Sequence, residues 1–262
     1  MGAIEGDRVV HLAAQSLASF FTGGGSAREH DEYALEDVRL LAPVPRPPSV
    51  RDAYAFEEHV RNARTVAGRG EVPAEWYEVP VFYFSNPAAI YGPEDEIPYP
   101  AGTAELDYEL EVAAVIGPEG AIGGFTIMND WSARDLQRQE MKVGLGPAKG
   151  KDFATSLGPV VVTPDELGDA NLEMVARVNG EERSRGNLGD MYHSWEAIVA
   201  RAAENTQLVP GDVIGSGTVG TGCILEHGDG RWLKPSDVVE LEVEGIGVLR
   251  NVIGMSRPAL AR

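Results

Sequence analysis

The sequence predicts an α+β, β-rich architecture with few helices and a short N-terminal β element, and three observations carry that reading. Beyond Pro80, turn signals recur roughly every ten residues: Asn86-Pro87, Pro98, Gly117, Gly123-Gly124, Pro159, Asn179-Gly180 and Pro210-Gly211. Short alternating or β-branched runs lie between them, such as VPVFYF, FTIMN, GPVVVT and DVVELEVEGIGVLRNVI. Helical patterning is confined to a few stretches, and no internal repeat is present.

In chain order, IEGDRVVHL reads as a strand, and the triplet Gly23 to Gly25 interrupts the chain beyond it. LLAPVPRPPSV carries Pro43, Pro45, Pro47 and Pro48, which excludes a helix or an inner strand and marks a linker. The division expected is a small N-terminal segment with its Pro-rich linker over residues 1–45 and a larger domain over 46–262. Residues 52–67 (DAYAFEEHVRNARTVA) form the best helical stretch, closed by Gly68 and Gly70. Residues 132–141 and 195–204 supply two further helical interruptions in a strand-rich remainder.

The chain has 262 residues, enough for an ample core, and 43% hydrophobic with 24% charged residues is ordinary for a globular protein. Its charge is not ordinary: 22 basic against 41 acidic residues leave −19. A field of that sign repels phosphate backbones and anionic lipid, so neither nucleic acid nor membrane is an expected partner. A small anionic substrate stays compatible, because a local group of cations can reverse the sign inside a cleft. Cys223 is the sole cysteine, the start lacks a basic stretch followed by an apolar one, and no run approaches a membrane span. The expected location is cytoplasmic.

The chemistry-bearing residues are acidic. Glu109 and Glu111, in DYELEVAAVIG, stand at i, i+2 in a strand pattern and leave one face of it, immediately before an apolar run. Asp52 and Asp130 complete a set of four. Two carboxylates about 4 Å apart repel by about 4 kcal/mol at an effective dielectric near 20, which a bound cation relieves. Oxygen-only ligands suit a hard ion, Mg²⁺ or Ca²⁺. The same alternation, from Glu105 through Asp107 to Glu111, also suits a solvated strand face. Asp130, Arg134 and Gln137, at i, i+4 and i+7 of MNDWSARDLQ, would share a helix stripe able to bind a metal and an oxyanion together; an N-cap with a solvated arginine is the plainer alternative. Lys151 in GPAKGKDF is not a phosphate-loop lysine, since Leu145 and Asp152 stand where glycine and Ser or Thr are required. It reads instead as a cation for developing negative charge. Gly215, Gly217 and Gly220 match G-x-G-x-x-G without a following helix, which argues against a dinucleotide site. His59 is the one histidine on the long helical stretch, and no Gly-x-Ser-x-Gly elbow is present.

Taken together, ELDYELEVAAVIG, MNDWSARDLQ and GKDF, in that order, resemble the fumarylacetoacetate hydrolase family, and the resemblance runs from about Leu41 to Ile253. In its motifs the chain is most similar to the fumarylacetoacetases. The resemblance implies a β-sandwich roll and a homodimer. It places metal ligands at Glu109, Glu111, Asp130 and Asp52, a general base at His59 with Glu226 as its partner, and substrate contacts at Tyr54, Tyr83, Arg134, Gln137, Lys151 and Thr218. Asn62, three residues past the base, matches the fumarylacetoacetases, where short acylpyruvase-like members carry glutamate. The chain departs from the long enzymes in lacking most of their N-terminal domain, in a one-residue insertion between Gln137 and Lys151, and in VFYFSNPAAIYGP, which resembles the short members. The implied activity is hydrolysis of a carbon-carbon bond in a β-diketo acid of fumarylacetoacetate or acylpyruvate type. His59 would activate water, Lys151, Arg134 and Gln137 would steady the enolate left behind, and the stretch from Asp52 to Ala67 would close as a lid. The alternative on the same metal site is an oxaloacetate-type decarboxylase or a hydroxy-dienoate isomerase.

Overall fold

The computed structural model describes residues 1–168 and 171–256, so the last six residues of the expected larger domain, and 169–170 within it, lie outside the described residues. Strands β1 (Gly2–Glu5) and β2 (Arg8–Leu12) divide the predicted IEGDRVVHL strand into a hairpin, with Gly6 at φ 65° in the turn. Helix α1 (Leu17–Thr22) starts at Ser16, whose hydroxyl accepts from the Ser19 amide at 3.1 Å. Strand β3 (Glu29–Ala34) completes an antiparallel sheet of order β1-β2-β3. The proline-rich stretch over 38–49 carries no helix or strand.

The long helix is shorter than the sequence predicts. Residues 50–53, of which 52 and 53 were expected to begin it, form strand β4 (Val50–Ala53), and helix α2 is only Glu57–Val66. All four β4 residues are buried, and a strand covered on both faces has no alternation to distinguish it from a helical run. Beyond α2 lie α3 (Ala74–Glu78), β5 (Phe82–Ser85), β6 (Ile90–Tyr91), β7 (Glu96–Tyr99), β8 (Leu106–Asp107), β9 (Leu110–Ile116), β10 (Ile122–Asn129), β11 (Ser132–Ala133) and α4 (Arg134–Met141). The remainder is β12 (Thr155–Val162), α5 (Pro164–Leu167), β13 (Glu173–Val178), β14 (Glu181–Asn187), α6 (Trp195–Ala203), β15 (Val213–Gly215), α7 (Ile224–His227), β16 (Val238–Val243) and β17 (Gly247–Ser256). The class is α+β and strand-rich, as the turn spacing predicts.

Two sheets dominate: seven strands in the order β5-β4-β15-β9-β10-β12-β6, and five in the order β14-β13-β16-β17-β7. Side chains of β9 sort by parity. Leu110, Val112, Ala114 and Ile116 enter the main core with Met174, Ala176, Leu241 and Leu249 of the five-stranded sheet. Ala113 and Val115 enter a second core with Val50, Val213, Met128 and Phe21 of α1. Each fully buried large aliphatic or aromatic side chain contributes about 1.5–3 kcal/mol, so the centre of the seven-stranded sheet is held rigidly from both faces. Glu109 and Glu111 share the parity of Ala113 and Val115, which places the two acids where the second core gives out. Among the described residues, no helix is long and apolar enough to cross a membrane.

Candidate active site and metal centre

Asp52 of β4 lies opposite Tyr83 of β5 on one side and Gly215 of β15 on the other, while Gly215 lies opposite Ala113 of β9. This register brings carboxylates from distant parts of the chain to one place. Ligand oxygens of Asp52, Glu109 and Glu111 all lie within 4.8 Å of one another, and all three residues are buried. Gly215 makes that approach possible: a Cβ there would stand 2.5 Å from Asp52 Oδ1 and 2.9 Å from Glu111 Oε2. The G-x-G-x-x-G match of Gly215, Gly217 and Gly220 did not point to this role. Asp107, also buried, does not belong to a solvated face as the alternation allowed; it accepts from Arg134 Nε at 2.8 Å and from the Ile224 and Leu225 amides at 2.7 and 3.0 Å. It ties α4 to the start of α7.

Asp130 is not on the helix that the i, i+4, i+7 spacing suggests. It stands after the end of β10 and before β11, and α4 begins only at Arg134, so Asp130 shares no helix stripe with Arg134 and Gln137. Asp130 joins the acids through Lys151 instead. The Lys151 ammonium donates to both Glu109 Oε2 and Asp130 Oδ2, and Asp130 Oδ2 also accepts from the Tyr83 hydroxyl. Arg134, on α4, donates from Nη2 to Glu109 Oε1 at 2.8 Å and from Nη1 to Gln137 Oε1 at 3.1 Å. Thr218 Oγ1 donates to Glu111 Oε1 at 3.2 Å, and the Gly217 amide donates to Asp52 Oδ1 at 3.2 Å.

The charges are unequally compensated. Burial raises the Glu109 carboxyl, but Lys151 and Arg134 outweigh it and hold the group well below the usual carboxylate range. Burial and the repulsion of Asp130 push Asp52 well up, and burial with the repulsion of Asp52 and Glu109 does the same to Glu111. Glu111 Oε2 and Asp130 Oδ1 are buried without a hydrogen-bond partner. Buried oxygens left in this state are costly, by about 1–3 kcal/mol each. A glycine-lined cradle, two unpartnered oxygens and an all-carboxylate donor set therefore fit a hard divalent cation, held by Asp52, Glu109 and Glu111 with Asp130 beside them.

His59 faces this centre from α2. Its Nδ1 is 2.8 Å from Glu226 Oε2, and Asn62 Nδ2 and the Thr221 amide each donate to Glu226 Oε1 at 3.0 Å. Burial opposes ionisation of Glu226, but His59, Asn62 and Thr221 hold its carboxyl below the usual range. Tyr54 packs edge-on against the imidazole at a centroid distance of 5.3 Å. Cys223, which had no visible partner in the sequence, lies fully buried with Sγ 3.3 Å from Glu226 Oε2, and burial pushes its thiol well up. A cavity of about 600 Å³ joins the parts: Asp52, Tyr54, His59, Tyr83, Glu109, Arg134, Gln137, Lys151 and Thr218 all line it. Of the residues singled out from sequence, Glu111, Asp130 and Glu226 stand just behind its wall, bonded to lining residues.

This fold has counterparts among known proteins. The C-terminal region of fumarylacetoacetate (FAA) hydrolase matches residues 49–254. The chain belongs to the fumarylacetoacetate hydrolase family. An oxaloacetate tautomerase of Bacillus subtilis is 30% identical over 95% of this chain and 84% of its own length. A mitochondrial oxaloacetate tautomerase of Homo sapiens is 34% identical over 83% of this chain and 70% of its own. The solved fumarylacetoacetate hydrolase of Exiguobacterium antarcticum superposes with a TM-score of 0.77 at 30% identity, covering 98% of this chain and 95% of that one. The 5-carboxymethyl-2-hydroxymuconate delta-isomerase of Mycobacterium smegmatis gives 0.74 at 30% identity, covering 97% and 93%. The family fold is thus the one expected, and the chain is an enzyme of that family.

Proposed function

We propose that this enzyme moves a proton at the carbon next to the keto group of a small 2-oxo dicarboxylate, as a keto-enol tautomerase or a hydroxy-dienoate isomerase. The observation that carries the reading is the His59–Glu226 pair, 2.8 Å apart, whose His59 lines the same cavity as Asp52, Glu109 and Lys151. The names of the relatives support enol chemistry over the carbon-carbon hydrolysis implied by the motifs.

Each residue has a part in this chemistry. Asp52, Glu109, Glu111 and Asp130 would hold Mg²⁺ or Ca²⁺, and such an ion would supply Lewis-acid polarisation of the substrate's keto group. Glu226 fixes the imidazole through Nδ1, so Nε2 is the nitrogen free to take and return the substrate proton. Arg134 and Lys151, aimed at Glu109 from two sides, supply positive charge where an enolate would form, and Gln137 and Thr218 offer hydrogen bonds. Tyr54 and Tyr83 shape the walls. We also propose that residues 46–262 are the catalytic domain, with residues 1–45 a cap whose Phe21 packs onto the outer core of the main sheet.

Hydrolysis is the second reading, and Asn62, the residue that the resemblance to the fumarylacetoacetases rests on at this position, supports it by donating to Glu226 at 3.0 Å beside His59, which would then activate water. A substrate panel decides. Protein loaded with Mg²⁺ is assayed by ultraviolet absorbance for enol-to-keto conversion of oxaloacetate and of a hydroxymuconate, and for cleavage of an acylpyruvate and of fumarylacetoacetate, each with a chelated control. The expected result is rapid tautomerisation or isomerisation that chelation abolishes, with cleavage slow or absent; preferential cleavage would overturn the reading. His59→Gln is expected to lower turnover by about 10²- to 10⁴-fold, the usual contribution of a positioned base.

A further inference from the structure

His59, Cys223 and Glu226 form a second group of metal-ligating side chains, which shares no residue with the all-carboxylate centre. One ligand atom from each lies within 4.8 Å of the other two. Two elements build the group: Cys223 immediately precedes α7, Glu226 follows three residues later within it, and His59 comes from α2. Oε1 of Glu226 accepts from Asn62 Nδ2 and from the Thr221 amide, both at 3.0 Å, while Oε2 meets His59 Nδ1 at 2.8 Å and Cys223 Sγ at 3.3 Å. Outer contacts of the first kind are what orients a carboxylate ligand. Among the described residues the Cys223 thiol hydrogen-bonds Glu226 alone, and neither proton transfer at His59 Nε2 nor the acidic centre makes use of it.

Sulfur, imidazole nitrogen and one carboxylate oxygen make a borderline-soft donor set, which suits Zn²⁺ and not the hard ions Mg²⁺ and Ca²⁺. With Zn–N and Zn–O bonds of about 2.0–2.1 Å and Zn–S bonds of about 2.3 Å, tetrahedral ligands stand about 3.3–3.6 Å apart. The Nδ1–Oε2 and Sγ–Oε2 separations need to open by only about half an ångström or less to reach that spacing. We propose that His59, Cys223 and Glu226 bind Zn²⁺ as an inhibitory site that disables the general base. On binding, the thiol releases its proton to solvent, because a coordinated thiol ionises. The imidazole proton passes from Nδ1 to Nε2, and the freed Nδ1 lone pair takes the ion. One Zn²⁺ thus enters for one proton released, with no change of oxidation state. An imidazole ligated through Nδ1 carries its N–H at Nε2, so it no longer accepts the substrate proton. Three protein ligands leave a fourth position open, as in exchangeable rather than structural zinc sites. His59 lines the cavity, which gives the ion its way in. The site rests on these donors alone; the inhibition rests on His59 as the base, which the enol and hydrolytic readings share.

Co²⁺, a coloured substitute for Zn²⁺, tests this on Mg²⁺-loaded protein without added thiols. It is titrated into wild type and Cys223→Ser while absorbance is recorded. Because Cys223 is the sole cysteine, a thiolate-to-cobalt charge-transfer band arises from no other residue. Wild type is expected to develop that band with one Co²⁺ per chain and to lose it on addition of Zn²⁺, and Cys223→Ser is expected to show none. In turnover assays at saturating Mg²⁺, Zn²⁺ is expected to inhibit wild type, and half-inhibition of Cys223→Ser to require at least about ten times more of it. A wild type without the band overturns the site, and that result stands even where serine at this buried position prevents folding. Inhibition that excess Mg²⁺ relieves, or that Cys223→Ser leaves unchanged, overturns the inhibitory role and assigns the effect to the four carboxylates. Failure of the enol chemistry in the substrate panel is a separate result, since the band needs no turnover.

Discussion

At the scale of single residues, the acidic centre combines poor intrinsic stability with a specific arrangement. Spacing in the sequence was enough to place Glu109 and Glu111 on one face, since strand parity is a local property. It could not show that Lys151 would reach between Glu109 and Asp130, or that Gly215 would leave room for Asp52 and Glu111, because both depend on strands far apart in the chain. Glu111 is the informative position: one of its oxygens has no partner, and its neighbours Asp52 and Glu109 repel its charge. Glu111→Gln removes that repulsion while keeping shape. In the presence of chelator the variant is expected to melt about 2–4 °C higher than wild type, the shift expected for about 1 kcal/mol in a chain of this size. It is also expected to lose the gain in melting temperature that wild type shows with Mg²⁺. Thermal melts with and without the ion check both halves, and a variant that melts lower in chelator would show that Glu111 stabilises the fold instead.

At the scale of elements, two short helices and a strand end are held by buried carboxylates. Glu226 links α2 to α7 through His59, Asn62 and the Thr221 amide, and its carboxyl is held below the usual range. Stability from a depressed carboxyl is present above its unfolded pKa of about 4.3 and is lost as pH falls through the lower folded value. Glu226→Gln is therefore expected to be less stable than wild type at neutral pH and to approach it below about pH 4, which denaturant titrations at several pH values measure. Asp107 carries more of the load. Asp107→Ala would leave Arg134 buried with one partner fewer and two amides of α7 unpaired, costing about 3–5 kcal/mol. Arg138→Ala, which breaks the surface pair with Glu105, is expected to cost under about 1 kcal/mol in the same denaturant titrations. Element boundaries were the part least legible in the sequence. Asp52 reads as helical because DAYAF precedes a true helix, and Asp130 reads as helical because MNDWS runs into α4; in both places a buried strand end abuts a helix start, and burial on all sides erases the periodicity that separates them.

At the scale of the whole molecule, strand order turns four scattered acids into one centre. Strand β15, three residues long, inserts between β4 and β9 and so brings Asp52 toward Glu111. Nothing in so short a run reveals its neighbours, whereas the turn spacing that sets the strand-rich class is visible throughout. The net charge of −19 adds a long-range repulsion that folding concentrates, and a divalent ion acts on it in two separable ways. Any salt screens exposed charges over about 10 Å at 0.1 M. Only an ion seated in the buried cluster stabilises through specific binding, by RT ln(1 + [ion]/Kd), about 2.7 kcal/mol at a hundredfold excess over Kd. For a chain of this size that corresponds to a rise of about 5–10 °C in melting temperature. Melts in Mg²⁺ and in NaCl at matched ionic strength are expected to differ by that amount in wild type, and to coincide in Glu111→Gln, which keeps the surface charge but loses a buried ligand. Equal melting temperatures in the two salts for wild type would mean that screening alone is at work and that the buried carboxylates hold no ion.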